Sequence, residues 1–426
     1  MTHFSKYLEV AGNQLRLCYA LRAIITDTRE ALAELPRWEK GFHVFWLIGP
    51  FILLIERTPA DLWLSILGLS FVIRAIIKRE GNWLKLFWVR AGFVFWIWCI
   101  ISGSISSDPA YSMVEAAIWF RFPLFAMATA FWLAQDKRLL YAMLVSTAIG
   151  LVAMCLILTA EILIVGQQGG RLSWPYGDLV PGNYLAKVGL PAFTIMMALA
   201  VSLKGRVAAL ATVIAVISMF ISFMTGERIN FLIRACAGVL AGLVWKPQWK
   251  RFLGIVVMIS IIILLAINVY PSLTNSRFFE MIDDAQLNYE EEHFRVLMGG
   301  VEAYKISPLK GIGPGNYRFL SHDILADIPK MKADNHPHNF YIQMLAETGI
   351  IGLLLGTIFL FSTIWASFKA SFTNRDNVFV ATAWIIPFGL FWPLSTTADF
   401  FGQWNNIFMW SAVAVAMTAS NLKWQK

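Results

Sequence analysis

The sequence predicts an all-α, polytopic membrane protein with about 12 transmembrane helices and one large outer loop that carries short helices. Three observations predict it. The chain is 58% hydrophobic and only 15% charged over 426 residues, whereas an ordinary soluble domain carries about 25% charged residues. Its apolar residues fall into runs long enough to cross a bilayer. The loops between those runs alternate between basic and non-basic.

Composition narrows the class further. Mean hydropathy is +0.61, and 18 Trp and 32 Phe suit a surface that meets acyl chains and places rings at headgroup level. The 35 Lys and Arg exceed the 27 Asp and Glu. That excess sits mainly in the loops of one side, so it marks topology and no nucleic-acid partner is expected. Cys18, Cys99, Cys155 and Cys236 form no CxxC or Cys/His cluster, which argues against a disulfide framework or a zinc site.

Residues 1–40 are interrupted by Lys6, Arg16, Arg22, Glu30 and Arg37. They are too charged for a signal peptide and read as an amphipathic cytoplasmic segment. A ruler of about 20 apolar residues then gives spans at 41–56, 60–77, 84–104, 113–133, 139–166, 183–203, 206–225, 229–246, 252–270, 340–368, 378–396 and 404–421. The domain reading is 1–40 as the cytoplasmic segment and 41–270 as nine helices. The loop 271–339 follows, and 340–426 holds three helices and a cytoplasmic C-terminus.

The charge pattern tests this count. Inner loops carry Lys78 and Arg79, Lys137 and Arg138, Lys204 and Arg206, Lys246, Lys250 and Arg251, and Lys369 and Arg375. Short outer loops carry only Arg57, Arg171 and Arg228. Both termini are therefore expected on the cytoplasmic side. Residues 271–339 are too many for a simple connection. Phe278, Phe279, Phe294, Val296, Leu297, Tyr304 and Ile306 give this loop apolar substance, and 290–306 has helical spacing. Phe294, Leu297, Val301 and Tyr304 share one face, which predicts a helical cap over the outer mouth.

Four features bear on chemistry. Asn335-His336-Pro337-His338-Asn339 stands at the entrance of the tenth span, ahead of Glu347-Thr348-Gly349-Ile350-Ile351-Gly352. A histidine there can act as a general base, or His338 or Asn339 can simply cap the helix. Arg228, at the outer end of the seventh span, offers a donor fork for phosphate oxygens or snorkels beside Glu227. Arg295 either binds an anion or is solvated near Glu291 and Glu292. Pro308 to Asn316 resembles a phosphate loop but lacks the GxxxxGK[ST] pattern, and reads as a turn that fixes the loop's path. Within the spans, Arg74, Arg90, Glu115, Arg121, Glu161, Lys187 and Arg234 are charged. Arg121 and Lys187 are the better site candidates, whereas Arg74, Arg90 and Arg234 read as snorkelling to the inner face.

Taken together, these elements resemble the O-antigen ligase superfamily, which includes Wzy-type polysaccharide polymerases. The resemblance rests on Arg228, Arg295, the Pro-x-x-Gly-x-Gly-x-Gly turn, and His-x-His-Asn followed by Glu-x-Gly-x-x-Gly, over about residues 222–356. Pro181-Gly182-Asn183-Tyr184 resembles a further outer-loop element. The resemblance implies an inner-membrane glycosyltransferase working at the periplasmic face. It would transfer a glycan from undecaprenyl diphosphate to a hydroxyl of lipid A-core, without metal or cofactor. By the same resemblance His338 is catalytic and Arg228 and Arg295 hold the donor diphosphate, with Arg121, Lys187, His336 and Asn339 as possible supporting residues. Ligase is favoured over polymerase because one large loop ends in His-x-His-Asn. A solute transporter is the alternative of another class, and it would place its critical residues near the midplane on broken helices.

Overall fold

The computed structural model describes residues 16–166, 171–175, 180–269, 292–326, 328, 333–395 and 397–422. The first fifteen residues of the amphipathic segment and 270–291 of the long loop, with Phe278 and Phe279, lie outside the described residues. Among those described, the chain is helical throughout. The elements are α1 (Arg16–Glu34), α2 (Arg37–Leu47), α3 (Arg57–Lys78), α4 (Phe87–Ser104), α5 (Pro109–Leu133), α6 (Lys137–Ile164), α7 (Pro181–Val188), α8 (Leu190–Ser202), α9 (Arg206–Met224), α10 (Arg228–Val244) and α11 (Trp249–Val269). After the outer loop begins come α12 (Glu292–Ile306), α13 (Tyr317–Leu325), α14 (Phe340–Thr373), α15 (Val378–Leu390) and α16 (Gln403–Met417).

Short polar side chains start these helices. Asp108 accepts from the Tyr111 N–H ahead of α5, where Pro109 takes the first helical position. Asp136 caps α6 by accepting from Arg138, and Asn377 caps α15 by accepting from Phe379 and Val380. The surface explains the solvent these helices need. Only 17% of the most apolar window of α11 is buried, leaving Leu253, Val257, Ile261, Leu264 and Leu265 exposed. An apolar face of that extent belongs in acyl chains.

Seven helices are long and apolar enough to cross a membrane, or eight if the bent pair α7 and α8 is one span. Each of the seven falls on a stretch expected from the sequence. The other expected stretches at 41–56, 229–246, 378–396 and 404–421 take up shorter or broken helices. In the first, α2 ends at Leu47 and a separate turn begins at Gly49-Pro50. The fold is thus helical and polytopic, with α14 packed along α4 and α6 to α11 grouped around α8.

One sequence reading needs correction. Arg234 does not snorkel: it is fully buried, donates to the Leu185 carbonyl and lies 4.1 Å above the Phe193 ring. The small face of α10, with Ala237, Gly238 and Ala241, draws the helix in and carries Arg234 with it. Arg74 is likewise held by Glu39 and Glu80. In α12 the buried stripe is Val296, Gly299, Gly300 and Ala303, while Phe294, Leu297, Val301 and Tyr304 are only partly covered. Close approach decides this, because a Cβ on Gly300 would lie 2.6 Å from Ile342 and 2.8 Å from Pro337. The smallest stripe of α12 therefore faces α14, ahead of the most apolar one.

Candidate functional site

The start of α14 organises the site. Asn339 is its N-cap: the side-chain oxygen accepts from the Tyr341 N–H at 2.9 Å and the Ile342 N–H at 3.1 Å. Its amide donates to the carbonyls of Pro393 and Ser395. Capping is therefore assigned to Asn339 and not to the His338 ring. His338 itself holds the left-handed backbone at φ 56°, a conformation rare for a residue with a side chain. Two hydrogen bonds hold it there: its N–H donates to His336 Nδ1 at 3.2 Å, and its carbonyl accepts from Thr397 at 2.8 Å.

His338 Nε2 lies 3.2 Å from Asp334 Oδ2, and the His336 and His338 rings are 4.3 Å apart edge to face. Burial and the neighbouring His338 push His336 down to about 4, in keeping with an Nδ1 that accepts a hydrogen bond. Burial acts against the Asp334 carboxyl, but the Asn335 N–H and the two histidines outweigh it and keep its pKa below the usual value.

The sign of the His336 shift makes a prediction. Its folded pKa lies below the unfolded value of about 6.5, so unfolding takes up a proton as pH falls between about 6.5 and about 4. Stability is therefore lost on acidification across that window. His336→Asn, whose oxygen can accept the same His338 N–H, is expected to flatten this part of the profile. Thermal unfolding in detergent against pH measures it.

Behind the histidines, α14 is kinked at Gly349, φ 68°, where the Leu309 backbone packs too closely for any Cβ. The Gly-rich turn docks into this kink. Ile312 and Gly313 donate to the carbonyls of Ala346 and Glu347, and the buried Glu347 side chain accepts from Gly315 at 3.0 Å and Tyr317 at 3.1 Å. These N–H groups are thus committed to the protein, as a turn that fixes the loop's path requires. Glu347→Ala leaves two buried N–H groups unpaired, at about 1–3 kcal/mol each. A clear drop in melting temperature is expected, with Glu347→Gln in between.

Gln343, one turn into α14, donates to Asp399 at 2.6 Å and accepts from the Phe400 N–H at 2.7 Å. Arg318 of α13 pairs with Asp399. The segment between α15 and α16 is in this way tied to the histidine loop at Thr397, and to α13 and α14 at Asp399 and Phe400. Its far end, Asn405 on α16, accepts from the buried Lys187 of α7, which also donates to Asn183. Asn183 in turn accepts from Asn230, which also donates to Glu227, next to Arg228.

The candidates therefore divide as follows. His336, His338 and Asn339 form one cluster, and Arg295 lies on α12, whose Gly300 packs against Pro337 and Ile342. Arg228 opens α10 beside the Glu227, Asn230, Asn183 and Lys187 network, linked to the first cluster by residues 397–405. Arg121 is committed elsewhere, pairing with Asp61 at 3.0 Å and donating to the Ile118 carbonyl. Sequence reading missed Asp334, Gln343, Arg318 and Asp399. Of these, Asp334, four residues before His338, was the most accessible signal.

A helical, multi-pass membrane protein with a polar cluster of Asp334, His336, His338 and Asn339 at the start of α14 is the class that this arrangement defines. Residues 210–356 match the Wzy_C family model, described as O-Antigen ligase. That segment is roughly a third of the chain and contains Arg228, Arg295, His338 and Glu347. It supports placement in the O-antigen ligase superfamily, with a ligase- or polymerase-type, membrane glycosyltransferase-like function and lipid-linked polysaccharide substrates in general. No curated protein matches the chain. Four chains of solved structures match it. One, from the work entitled "Structural coordination of polymerization and crosslinking by a peptidoglycan synthase complex", is 15% identical, with a TM-score of 0.44 over 78% of this chain and 96% of that one.

Proposed function

We propose that this chain is an inner-membrane O-antigen ligase that transfers a glycan from undecaprenyl diphosphate to a hydroxyl of lipid A-core at the periplasmic face. The observation that carries the reading is His338, held by Asp334 on a left-handed backbone inside the family-matched segment. In the reaction the acceptor oxygen attacks the anomeric carbon while the bond from that carbon to the diphosphate oxygen breaks. The bonding pair leaves on undecaprenyl diphosphate, and the hydroxyl proton passes to neutral His338. Arg228 and Arg295 stabilise the charge that develops on the leaving diphosphate. Lys187 and the Asn183, Asn230 and Asn405 amides support the element from which Arg228 projects.

Purified protein given lipid-linked glycan with either lipid A-core or a second lipid-linked glycan tests the choice. Product on lipid A-core is expected. Product only on the second lipid-linked glycan makes the chain a Wzy-type polymerase, and transport without transfer makes it a solute carrier. Tags at both termini and near residues 137 and 248 should report the cytoplasm, and one near 285 the periplasm. A cytoplasmic position 285 would remove the periplasmic assignment.

A further inference from the structure

We infer that Asp334 is a positioning residue which fixes His338 as the Nε2–H tautomer, so that Nδ1 is the nitrogen that takes the acceptor's proton. The inference rests on the proposed transfer reaction for its consequence but not for its geometry. An ionised carboxylate only accepts hydrogen bonds, so the 3.2 Å contact from His338 Nε2 to Asp334 Oδ2 requires the proton on Nε2. The neutral ring then carries its lone pair on Nδ1. Asp334 is itself oriented: its Oδ1 accepts from the Asn335 N–H at 2.6 Å, and its carbonyl accepts from Ser321 Oγ on α13 at 3.0 Å.

The remaining contacts supply the backbone half of the arrangement. His336 Nδ1 accepts the His338 N–H, and Thr397 donates to the His338 carbonyl, so the left-handed residue is tied on both sides. His338 and Asp334 side chains are 29% and 31% exposed, which leaves the pair within reach of a large glycolipid acceptor. The charged and titratable groups around it are His336 on the same loop, Arg318 and Tyr317 from α13, and Asp399 from the segment before α16. Arg295 lies on α12, which packs against Pro337. Among the described residues, Asp334 makes a direct contact with Nε2. A carboxylate in this position orients the ring and fixes its tautomer.

Two measurements test this. With ¹⁵N-labelled histidine in nanodiscs, His338, assigned by difference from His338→Gln, should be the Nε2–H tautomer at neutral pH and should become a mixture in Asp334→Ala. In the transfer assay, Asp334→Asn should lower kcat on the order of 10²-fold with donor KM within about twofold. Asp334→Glu should recover part of the rate. An Nδ1–H tautomer in the wild type, or an unchanged tautomer in Asp334→Ala, overturns the inference. So does a rate loss in Asp334→Asn that only follows melting temperature, with no recovery in Asp334→Glu. If the wild type transfers no glycan, the proposed function fails, and the tautomer measurement still decides the role of Asp334.

Discussion

His338→Ala is expected to lower the rate of glycan transfer on the order of 10²- to 10⁴-fold, the range for loss of a positioned general base. The protein should fold and still bind donor, because the cap of α14 belongs to Asn339, whose oxygen receives both first-turn N–H groups. Alanine at 338 keeps the N–H that His336 accepts and the carbonyl that Thr397 donates to. The main structural cost is the left-handed backbone, which alanine tolerates no worse than histidine within about 1 kcal/mol. His338→Gln is the companion variant, since it fills the space but cannot take a proton near neutral pH. Transfer at the wild-type rate by both variants would remove His338 from the chemistry.

Much of this site could be read in the sequence, for reasons that differ by residue. The seven long spans follow from apolar run length alone, because apolar character continues through each of them, even across the kink at Gly349 in α14. The stretches at 41–56 and 183–203 contain Gly49-Pro50 and Pro191, where the helices start afresh, so run length did not reveal their geometry. His338 and Asn339 were both candidate caps, since spacing cannot say which side chain turns back to the first turn. Asp399 was invisible for another reason. A lone acid in an outer segment reads as solvated, and its partners Gln343 and Arg318 lie 56 and 81 positions away. The buried face of α12 was not legible because apolar spacing marks the greasiest stripe, whereas Pro337 and Ile342 select the one with Gly299 and Gly300. Arg234 shows the same limit: depth along a helix is legible, but rotation toward Leu185 and Phe193 is not.

The arginines should respond differently from the histidine, and this contrast separates diphosphate binding from proton transfer. Arg228→Ala and Arg295→Ala each remove a charge-assisted fork from the leaving diphosphate, so donor affinity should weaken together with a rate loss on the order of 10²- to 10³-fold. Lysine at either position should recover only part of both, because its point charge lacks the planar pair of donors. Arg228 opens α10, where the N–H groups of the first turn receive no side-chain cap from Glu227 and add positive potential for an anion; that contribution survives the substitution, so Arg228→Ala should retain more donor binding than Arg295→Ala. Arg121 serves as the internal control. Its guanidinium is engaged with Asp61, so Arg121→Ala should lower stability while leaving the donor affinity of the folded fraction near wild type. Binding of a lipid diphosphate in nanodiscs, measured beside single-turnover transfer, gives both quantities for each variant. An arginine whose alanine variant keeps wild-type affinity and rate has no part in holding the donor. If Arg228 and Arg295 both behave so, the diphosphate is bound elsewhere, and the cations nearest the site, Lys187 and Arg318, become the groups to remove next.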